Sequence, residues 1–323
     1  AVLLQANQPF IIVENGFKGI IPSYGRGYFG NRVVEIGPDT AELGFMKKFT
    51  SGELSLDSVT LSLDIENGFG ADGQVTLNYL NAINNRNQTL VELSHAIVGN
   101  AVNITRATEP FPGSGNVSPS QKFFEFNNSN SNLKQVFESL PDEFQYSIDF
   151  ELNPLGNIST GYDFYYRDHP FNAKLRLDVP LTLASDKLTL EDTLDFDMTE
   201  SDFAARINNG VFRLKAVNGF PMEATAQLFL MDENNQVLDS LIAQNTIVAP
   251  ALDADFKVIS PVASDVNITL EESQADLIQQ TKKIKIKVAF STVPDGSQLV
   301  KLYDNYELDL KLIADFNYNL EQL

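Results

Sequence analysis

A two-residue alternation of apolar and polar side chains runs through most of this sequence and constrains its fold more than any other feature. The alternation is clearest in five segments: 54–66, 144–152, 173–183, 283–290 and 306–320. Because successive side chains of a strand point to opposite faces, this pattern gives strands with one apolar and one polar face. Such strands are typical of antiparallel sheets with one solvated face, so we predict an all-β fold.

Helical signals occur in only two segments. Residues 132–140 follow an Asn/Ser-rich run and end before Pro141, and residues 270–283 end in two lysines. Thr269 and Glu272 have the spacing of a capping box at the start of the second segment. We predict one short helix in each place, of about three or four turns.

The tripeptide Asn-Gly-Phe occurs at 15–17, 67–69 and 218–220, each time after an alternating segment. Behind the second and third copies, the same order of strand, polar turn, strand, helix and strands follows. The repeat predicts two tandem antiparallel β-sandwich domains, at 51–203 and 204–323, with 1–50 as an N-terminal β segment that forms a partial unit.

The Asn-Gly-Phe motif itself is interpreted as a structural corner. Asn and Gly both tolerate positive φ, so they predict a turn after which the phenylalanine returns to the sheet. None of the three residues offers a nucleophile or a base.

Composition excludes several kinds of partner. The chain has 43 acidic and 23 basic residues, a formal net charge of −20, and no cysteine. This charge repels phosphate backbones and anionic lipid headgroups, so we expect no nucleic-acid partner and no direct membrane insertion. No apolar run approaches the ~20 residues of a membrane-spanning helix. Without cysteine there are no disulfides, no thiol catalysis and no cysteine-ligated metal.

Cofactor and catalytic motifs are weak. Residues 25–30 spell G-x-G-x-x-G, but a strand-like segment follows them rather than the helix that a dinucleotide site requires. His95 and His169 lie in unrelated contexts and are interpreted as structural. We therefore predict no catalytic residues, no redox cofactor and no transition metal, and we expect the protein not to be an enzyme.

Two further clusters leave alternatives open. The acidic side chains of Asp192, Asp195 and Asp197 form either a calcium site or the solvated face of a strand. The aromatic segment at 162–166 contains Tyr162, Phe164, Tyr165 and Tyr166, which form either a stacking platform for a glycan or ordinary strand positions.

Five segments carry a resemblance to a known group of proteins: GIIPSYGRGYFG (19–30), LDSVTLSLDIENGFGADGQVTL (56–77), NLKQVFESLPDEFQYSIDFELNP (132–154), LDVPLTLASDKLTLEDTLDFDM (177–198) and VKLYDNYELDLKL (300–312). Over most of 20–320 the chain resembles exported β-sandwich envelope proteins of Bacteroidota, among them the plug subunit of the type 9 secretion translocon. The short motifs at 39–41, 57–59, 192–194 and 239–241 are similar to O-glycosylation acceptors of that phylum.

The resemblance implies a location in the periplasm or at the outer-membrane surface of a Gram-negative bacterium. It also implies a non-enzymatic role, in which the chain docks on or plugs an outer-membrane protein or a translocon complex. The alternative is a lipid- or glycan-binding carrier or adhesin module.

The predicted partner-binding residues lie in one segment. The first copy of the repeat is ten residues longer than the second, and we assign the extra residues to 106–132, whose Pro, Gly, Ser and Asn content predicts a long surface loop. This segment contains Phe111, Phe123, Phe124 and Phe126. Either the rings cover an edge of the sheet, or Phe111 and Phe123 insert into a partner.

Overall fold

Strands dominate the computed structural model, which describes residues 21–42, 44, 46–196 and 207–318. The strands are β1 Tyr24–Arg26, β2 Arg32–Glu42, β3 Phe49–Leu56, β4 Thr60–Asn67, β5 Gly73–Asn84, β6 Thr89–Glu92, β7 Ala101–Ile104, β8 Ser120–Phe126, β9 Glu143–Leu152, β10 Phe164–Tyr166, β11 Phe171–Asp178, β12 Thr182–Asp195, β13 Ile207–Asn218, β14 Met222–Met231, β15 Val237–Ile242, β16 Val262–Leu270, β17 Lys283–Thr292, β18 Val300–Lys301 and β19 Leu308–Tyr318. The α-helices are α1 Leu133–Glu138 and α2 Glu272–Ala275. Neighbouring strands pair antiparallel throughout these sheets, and the predicted all-β fold is confirmed.

The strand order repeats, as the sequence duplication predicts. A three-stranded sheet has the order β11–β4–β8 in the first half of the chain and β19–β13–β16 in the second. The larger sheet has the order β2–β9–β5–β6 in the first half and β12–β17–β14–β15 in the second. We call β1, β2 and β4–β11 the first unit and β12–β19 the second unit.

The division into two domains stays a prediction, but the pairing shows where the sheets begin. Strand β12 lies before residue 203, and it is hydrogen-bonded to β17 along Leu188–Asp195. A boundary at 203 therefore separates β12 from its own sheet. Composition misses this point because β12 resembles the other alternating strands and no Pro- or Gly-rich linker follows it.

Strand β3 joins the two units. It follows β2 in the chain, yet it pairs with β12, from Leu56 opposite Leu183 to Phe49 opposite Leu190. Leu54 and Leu56 are buried there. One continuous apolar cluster accordingly contains residues of both units.

The core of the second unit follows the predicted alternation. Along β13, Phe212, Leu214 and Ala216 are buried, whereas Arg213 and Lys215 between them are exposed. These buried residues pack against side chains of β14 and β17 from the facing sheet, so the two sheets form a sandwich-like pair.

Both helices are shorter than predicted. Helix α1 has six residues, and α2 has four before it tightens into the 3-10 turn Asp276–Gln279. The predicted capping box at Thr269 is wrong, because β16 extends through that residue and Glu271 and Gln274 form the box instead. Pairing with β13 overrides the local helix signal.

The Asn-Gly-Phe corner is structural, but its mechanism differs from the prediction. Asn67 donates its side-chain amide to the carbonyls of Ala71 (3.1 Å) and Thr105 (2.9 Å), and its Oδ1 accepts from the Phe69 N–H at 2.9 Å. Neither Asn67 nor Gly68 has positive φ. The buried asparagine thus holds two chain segments together, and we call its three hydrogen bonds the asparagine bracket. The Asn-Gly-Phe copy at 15–17 lies outside the described residues.

The same bracket recurs in the second unit. Asn218 donates to the carbonyls of Met222 (2.8 Å) and Val248 (3.0 Å) and accepts from the Phe220 N–H at 2.9 Å. Asn218 is fully buried. The sequence repeat therefore encodes a repeated set of side-chain hydrogen bonds.

We expect Gly68→Ala to destabilise the fold, because a Cβ there would lie 2.3 Å from the backbone oxygen of His169. Backbone cannot move aside as a flexible side chain can, so the cost in unfolding free energy should be at least about 1–3 kcal/mol. Gly44→Ala is the control, since its Cβ would meet nothing within 4 Å. Urea unfolding of the two variants should differ clearly; equal midpoints would show that the corner has room for a side chain.

The extra residues of the first copy do not lie in 106–132. Asn67 and Thr105 are 38 residues apart, whereas the equivalent Asn218 and Val248 are 30 apart. The chain between Thr105 and β8, which begins at Ser120, is nearly as long as the chain between Val248 and β16, which begins at Val262. Most of the insertion therefore precedes Thr105, where it builds β7 against β5. In the second unit a single bridge, Ala224 to Ile247, stands in the place of β7.

Candidate functional site

The four predicted phenylalanines have different environments. Phe111 is 63% exposed and Phe123 is 60% exposed, whereas Phe124 is half-buried and Phe126 is buried. The expected surface loop is wrong for residues 120–126, which form β8. There Phe126 and Phe124 alternate toward the core, opposite Leu61 and Leu63 of β4. A partner cannot reach Phe126.

Phe111 lies in the loop 105–119, which β1, β10 and their neighbours hold in place. The G-x-G-x-x-G segment contacts this loop through Arg26, which pairs with Glu109. The N–H of Gly27 donates to the Asp163 carbonyl (3.0 Å), and the N–H of Phe29 donates to Asp163 Oδ2 (3.1 Å). Gly27 and Gly30 have positive φ. The motif thus wraps the chain around a buried aspartate and leads into β2, with no helix after it.

Asp163 is fully buried and is the centre of this region. Its Oδ2 also accepts from Asn153 Nδ2 at 2.8 Å, and its Oδ1 lies 3.6 Å from Arg106 Nη2. Arg106 in turn donates Nε and Nη2 to Asp72 Oδ2, at 3.0 and 2.8 Å. These charges tie the start of the loop 105–119 to the segment after the Asn-Gly-Phe corner.

Glu109 holds the middle of the same loop. Its Oε2 accepts from the Tyr166 hydroxyl (2.7 Å) and from the Gly113 N–H (3.1 Å). Its Oε1 lies 3.5 Å from Arg26 Nη1. Burial raises the pKa of Tyr166, and the neighbouring Glu109 carboxylate adds to the increase. The tyrosine thus remains a neutral hydrogen-bond donor to Glu109.

Arg26 connects this loop to a second loop, 153–163. Its guanidinium carbon lies 4.7 Å from the centre of the Tyr162 ring, a cation–π distance. The second loop is held by its own hydrogen bonds, among them Gly156 N–H to the Asn153 carbonyl and Gly161 N–H to Asn157 Oδ1.

Four apolar side chains project from these two loops: Phe111, Leu155, Ile158 and Tyr162. Each is more than half exposed. We call this set the apolar tip. It combines large exposed apolar side chains with loops that are fixed by buried charges and hydrogen bonds.

The predicted aromatic platform at 162–166 is divided between surface and core. Tyr162 is exposed, but Phe164 and Tyr166 are buried with Ala107, and Tyr165 stacks edge-on with Phe69. The alternation of strand β10 accounts for this, since only alternate side chains can face outward.

The two histidines lie apart. His95 packs on Phe126 with ring centres 4.4 Å apart, and its Nδ1 accepts from the Ile97 N–H at 3.3 Å. Burial lowers the pKa of His95. His169 lies edge-on to Tyr166 with ring centres 6.3 Å apart.

The acidic segment is an exposed part of β12. Asp192 and Asp195 are three residues apart, so they point to opposite faces of the strand, and Asp197 lies outside the described residues. The neighbouring Glu191 carboxylate pairs with two lysines of β17. It lies 3.2 Å from Lys285 Nζ and 3.8 Å from Lys287 Nζ. Within the described ranges, no group of three or more histidine or acidic residues is placed to hold a metal ion.

A cavity of about 320 Å³ lies between β3, the turn at 84–89 and the end of α1. Its polar lining is engaged within the protein. Arg86 pairs with Asp142, and Asn84 donates to the carbonyls of Ser139 and Leu140. Few groups remain to recognise a ligand there.

None of the helices in the described residues is long and apolar enough to cross a membrane.

No protein-family model matches the chain. No curated protein matches it either. A solved structure of a "putative secreted protein" from Parabacteroides distasonis is similar at 12% identity with a TM-score of 0.34, covering 94% of this chain and 86% of that chain. At that TM-score the likeness carries no argument about function.

Proposed function

We propose that this chain is a non-enzymatic, exported envelope protein that docks on an outer-membrane protein through the apolar tip. The observation that carries the proposal is the exposure of Phe111, Leu155, Ile158 and Tyr162 on loops that are otherwise firmly held. Large aromatic and aliphatic side chains of this kind are the usual anchors of protein interfaces.

The rigidity of the loops supports recognition. A surface loop that orders only on binding loses conformational entropy at that step, and affinity falls accordingly. Here Glu109, Arg26 and Asp163 fix the loops before any partner arrives. The net charge of −20 favours solubility and keeps the rest of the surface hydrated.

The resemblance described under Sequence analysis makes the partner more specific. Exported envelope proteins of Bacteroidota include the plug of the type 9 secretion translocon, so a translocon complex is the partner we propose first. The alternative carrier role needs a large apolar cavity for a lipid, whereas the cavity of about 320 Å³ beside Arg86 has polar groups that are already engaged within the protein.

Phe111→Ala with Tyr162→Ala should abolish capture of the outer-membrane partner and leave the fold intact. Both side chains are exposed, so the loss of Phe111 should change the unfolding free energy by less than about 0.5 kcal/mol. The loss of Tyr162, which also removes its contact with Arg26, should change it by about 1 kcal/mol or less. Interface anchors of this type cost about 2 kcal/mol or more each when truncated, which is at least a 30-fold loss of affinity. The measurement is quantitative mass spectrometry of proteins that co-purify from native envelopes.

Phe123→Ala is the matched control. Phe123 is as exposed as Phe111, but it lies on β8 opposite Asp64, on a different element of the structure. Retention of the same envelope proteins by the double variant would contradict the docking proposal. Substitutions leave the loop 105–119 in place, where the Gly115 N–H donates to the Tyr166 hydroxyl and Val117 packs against the buried cluster of Ala107, Phe164 and Tyr166.

A further inference from the structure

The outer edge of β12 is covered by a strand from the preceding part of the chain. Strand β3 pairs there in a register that sets Leu56 opposite Leu183, Ser55 opposite Ala184 and Leu54 opposite Ser185. The Asp57 N–H continues the pairing by donating to the Thr182 carbonyl at 2.9 Å. An edge strand with unpaired N–H and C=O groups is thereby closed.

The first unit has the equivalent edge. The larger sheets of the two units can be aligned by placing Asn67 on Asn218. Residues that lie side by side on neighbouring strands then correspond: Gly73, Leu152 and Arg32 in the first unit, and Ala224, Phe290 and Leu188 in the second. By this equivalence, Arg26 to Gly30 correspond to Thr182 to Asp186. The pairing of β1 with β10 matches that of Thr182–Leu183 with β18.

In the first unit this edge has no strand beside it among the described residues, where β1 pairs only with β10 and β2 only with β9. The Tyr28 N–H has no hydrogen-bond partner there. Gly25, Gly27 and Gly30 each face open space where a Cβ would be. Gly25 also has no positive φ. Neither its backbone conformation nor crowding by the described residues therefore requires a glycine at that position. Glycine in a strand often marks the close approach of another backbone.

The sequence at the end of β4 and its Asn-Gly-Phe corner has a second copy near the N-terminus. Residues 13–17 read VENGF and residues 65–69 read IENGF, an offset of 52. At the same offset, the buried Leu54 and Leu56 of β3 correspond to Val2 and Leu4. Residues 1–4 lie outside the described part of the chain, but their sequence has the apolar positions of a strand that closes such an edge.

We propose that the outer edge of Gly27–Gly30 is a strand-acceptor site and that residues 1–4 of the same chain occupy it. The register repeats that of β3 on β12, with Leu4 opposite Gly27, Leu3 opposite Tyr28 and Val2 opposite Phe29. The site is distinct from the apolar tip, and it does not depend on the proposed docking function.

Engineered disulfides test the register in the full chain, which has no cysteine of its own. Leu3→Cys with Tyr28→Cys should close an intramolecular disulfide under mild oxidation, because opposite residues of antiparallel strands bring their Cβ atoms within bonding range. Ser55→Cys with Ala184→Cys is the positive control, since this pair is opposite in the structure. Leu3→Cys with Glu42→Cys is the negative control, as Glu42 is at the far end of β2.

Closure of the 3–28 pair in the monomer, at a rate within tenfold of the 55–184 pair, supports the proposal. Failure to close while the positive control closes would overturn it, and so would a disulfide-linked dimer, which would make a second copy the occupant. Amide hydrogen exchange gives an independent measurement on the unmodified protein. We expect the Tyr28 amide to be protected at least 100-fold; exchange at the rate of an unstructured peptide would overturn the proposal.

Discussion

Asn218→Ala is expected to lower the unfolding free energy by at least about 3 kcal/mol, since each buried polar group left unpaired costs about 1–3 kcal/mol. The variant would remove the partner of the Met222 and Val248 carbonyls and of the Phe220 N–H. Water cannot take its place beside the Met222 carbonyl, because Asn218 and Met222 are both buried. Asn67→Ala should have a similar effect in the first unit, where the same three hydrogen bonds are made.

Asn100→Ala is the control for this experiment. Asn100 also donates its amide to two backbone carbonyls, those of Ala96 and Val98, but it is exposed to solvent. Its loss should cost less than about 1 kcal/mol, because water takes over the released groups. Guanidinium unfolding of the three variants gives the comparison. Equal effects of Asn218→Ala and Asn100→Ala would show that the bracket is not what holds the corner.

Asp163→Ala should destabilise the protein by about 2–6 kcal/mol, since each of the two backbone or amide donors that lose this acceptor costs about 1–3 kcal/mol when left unpaired. The variant would leave the Phe29 N–H and Asn153 Nδ2 without their acceptor, and Arg106 with only Asp72. We expect the loop 105–119 and the segment before β2 to lose hydrogen-exchange protection first, since both are anchored on this residue.

Asp178→Ala provides the matched comparison. The Asp178 carboxylate lies 2.8 Å from Arg176 Nε, closer than Asp163 lies to Arg106, but both side chains are largely exposed. Exposed ion pairs contribute about 0.2–1 kcal/mol, so this variant should unfold almost as the parent does. If Asp178→Ala cost as much as Asp163→Ala, distance rather than burial would control the energy of these pairs.

The strands were predictable because their alternation is a direct consequence of sheet geometry. β13 shows it in the sequence and in the burial of every second residue from Gly210 to Asn218. The duplication was predictable for a related reason, since Asn-Gly-Phe marks the same corner in each unit. The sequence did not show why the asparagine is there. Its partners Thr105 and Val248 lie 38 and 30 residues away, and no local pattern connects them.

The candidate site was only partly predictable. Phe111 could be selected because an aromatic residue in a Pro/Gly-rich loop is unusual. Phe126 does not belong with it, because the alternating segment KFFEF forms part of β8 and this ring faces the core. Glu109, Arg26 and Asp163, which fix the loops, carry no sequence signal. Each is one acidic or basic residue among many, and only the tertiary contacts distinguish it.

Because β3 pairs with a strand that is synthesised much later, it constrains the order in which the protein can fold during synthesis. Its partner Leu183 comes 127 residues after Leu56, so β3 can pair only after the whole of the first unit has been synthesised. During that interval Leu54 and Leu56 are an uncovered apolar edge, which is a site for aggregation. A fragment that contains β3 and ends before Thr182 would keep this edge permanently, so we expect such a fragment to be poorly soluble when produced alone.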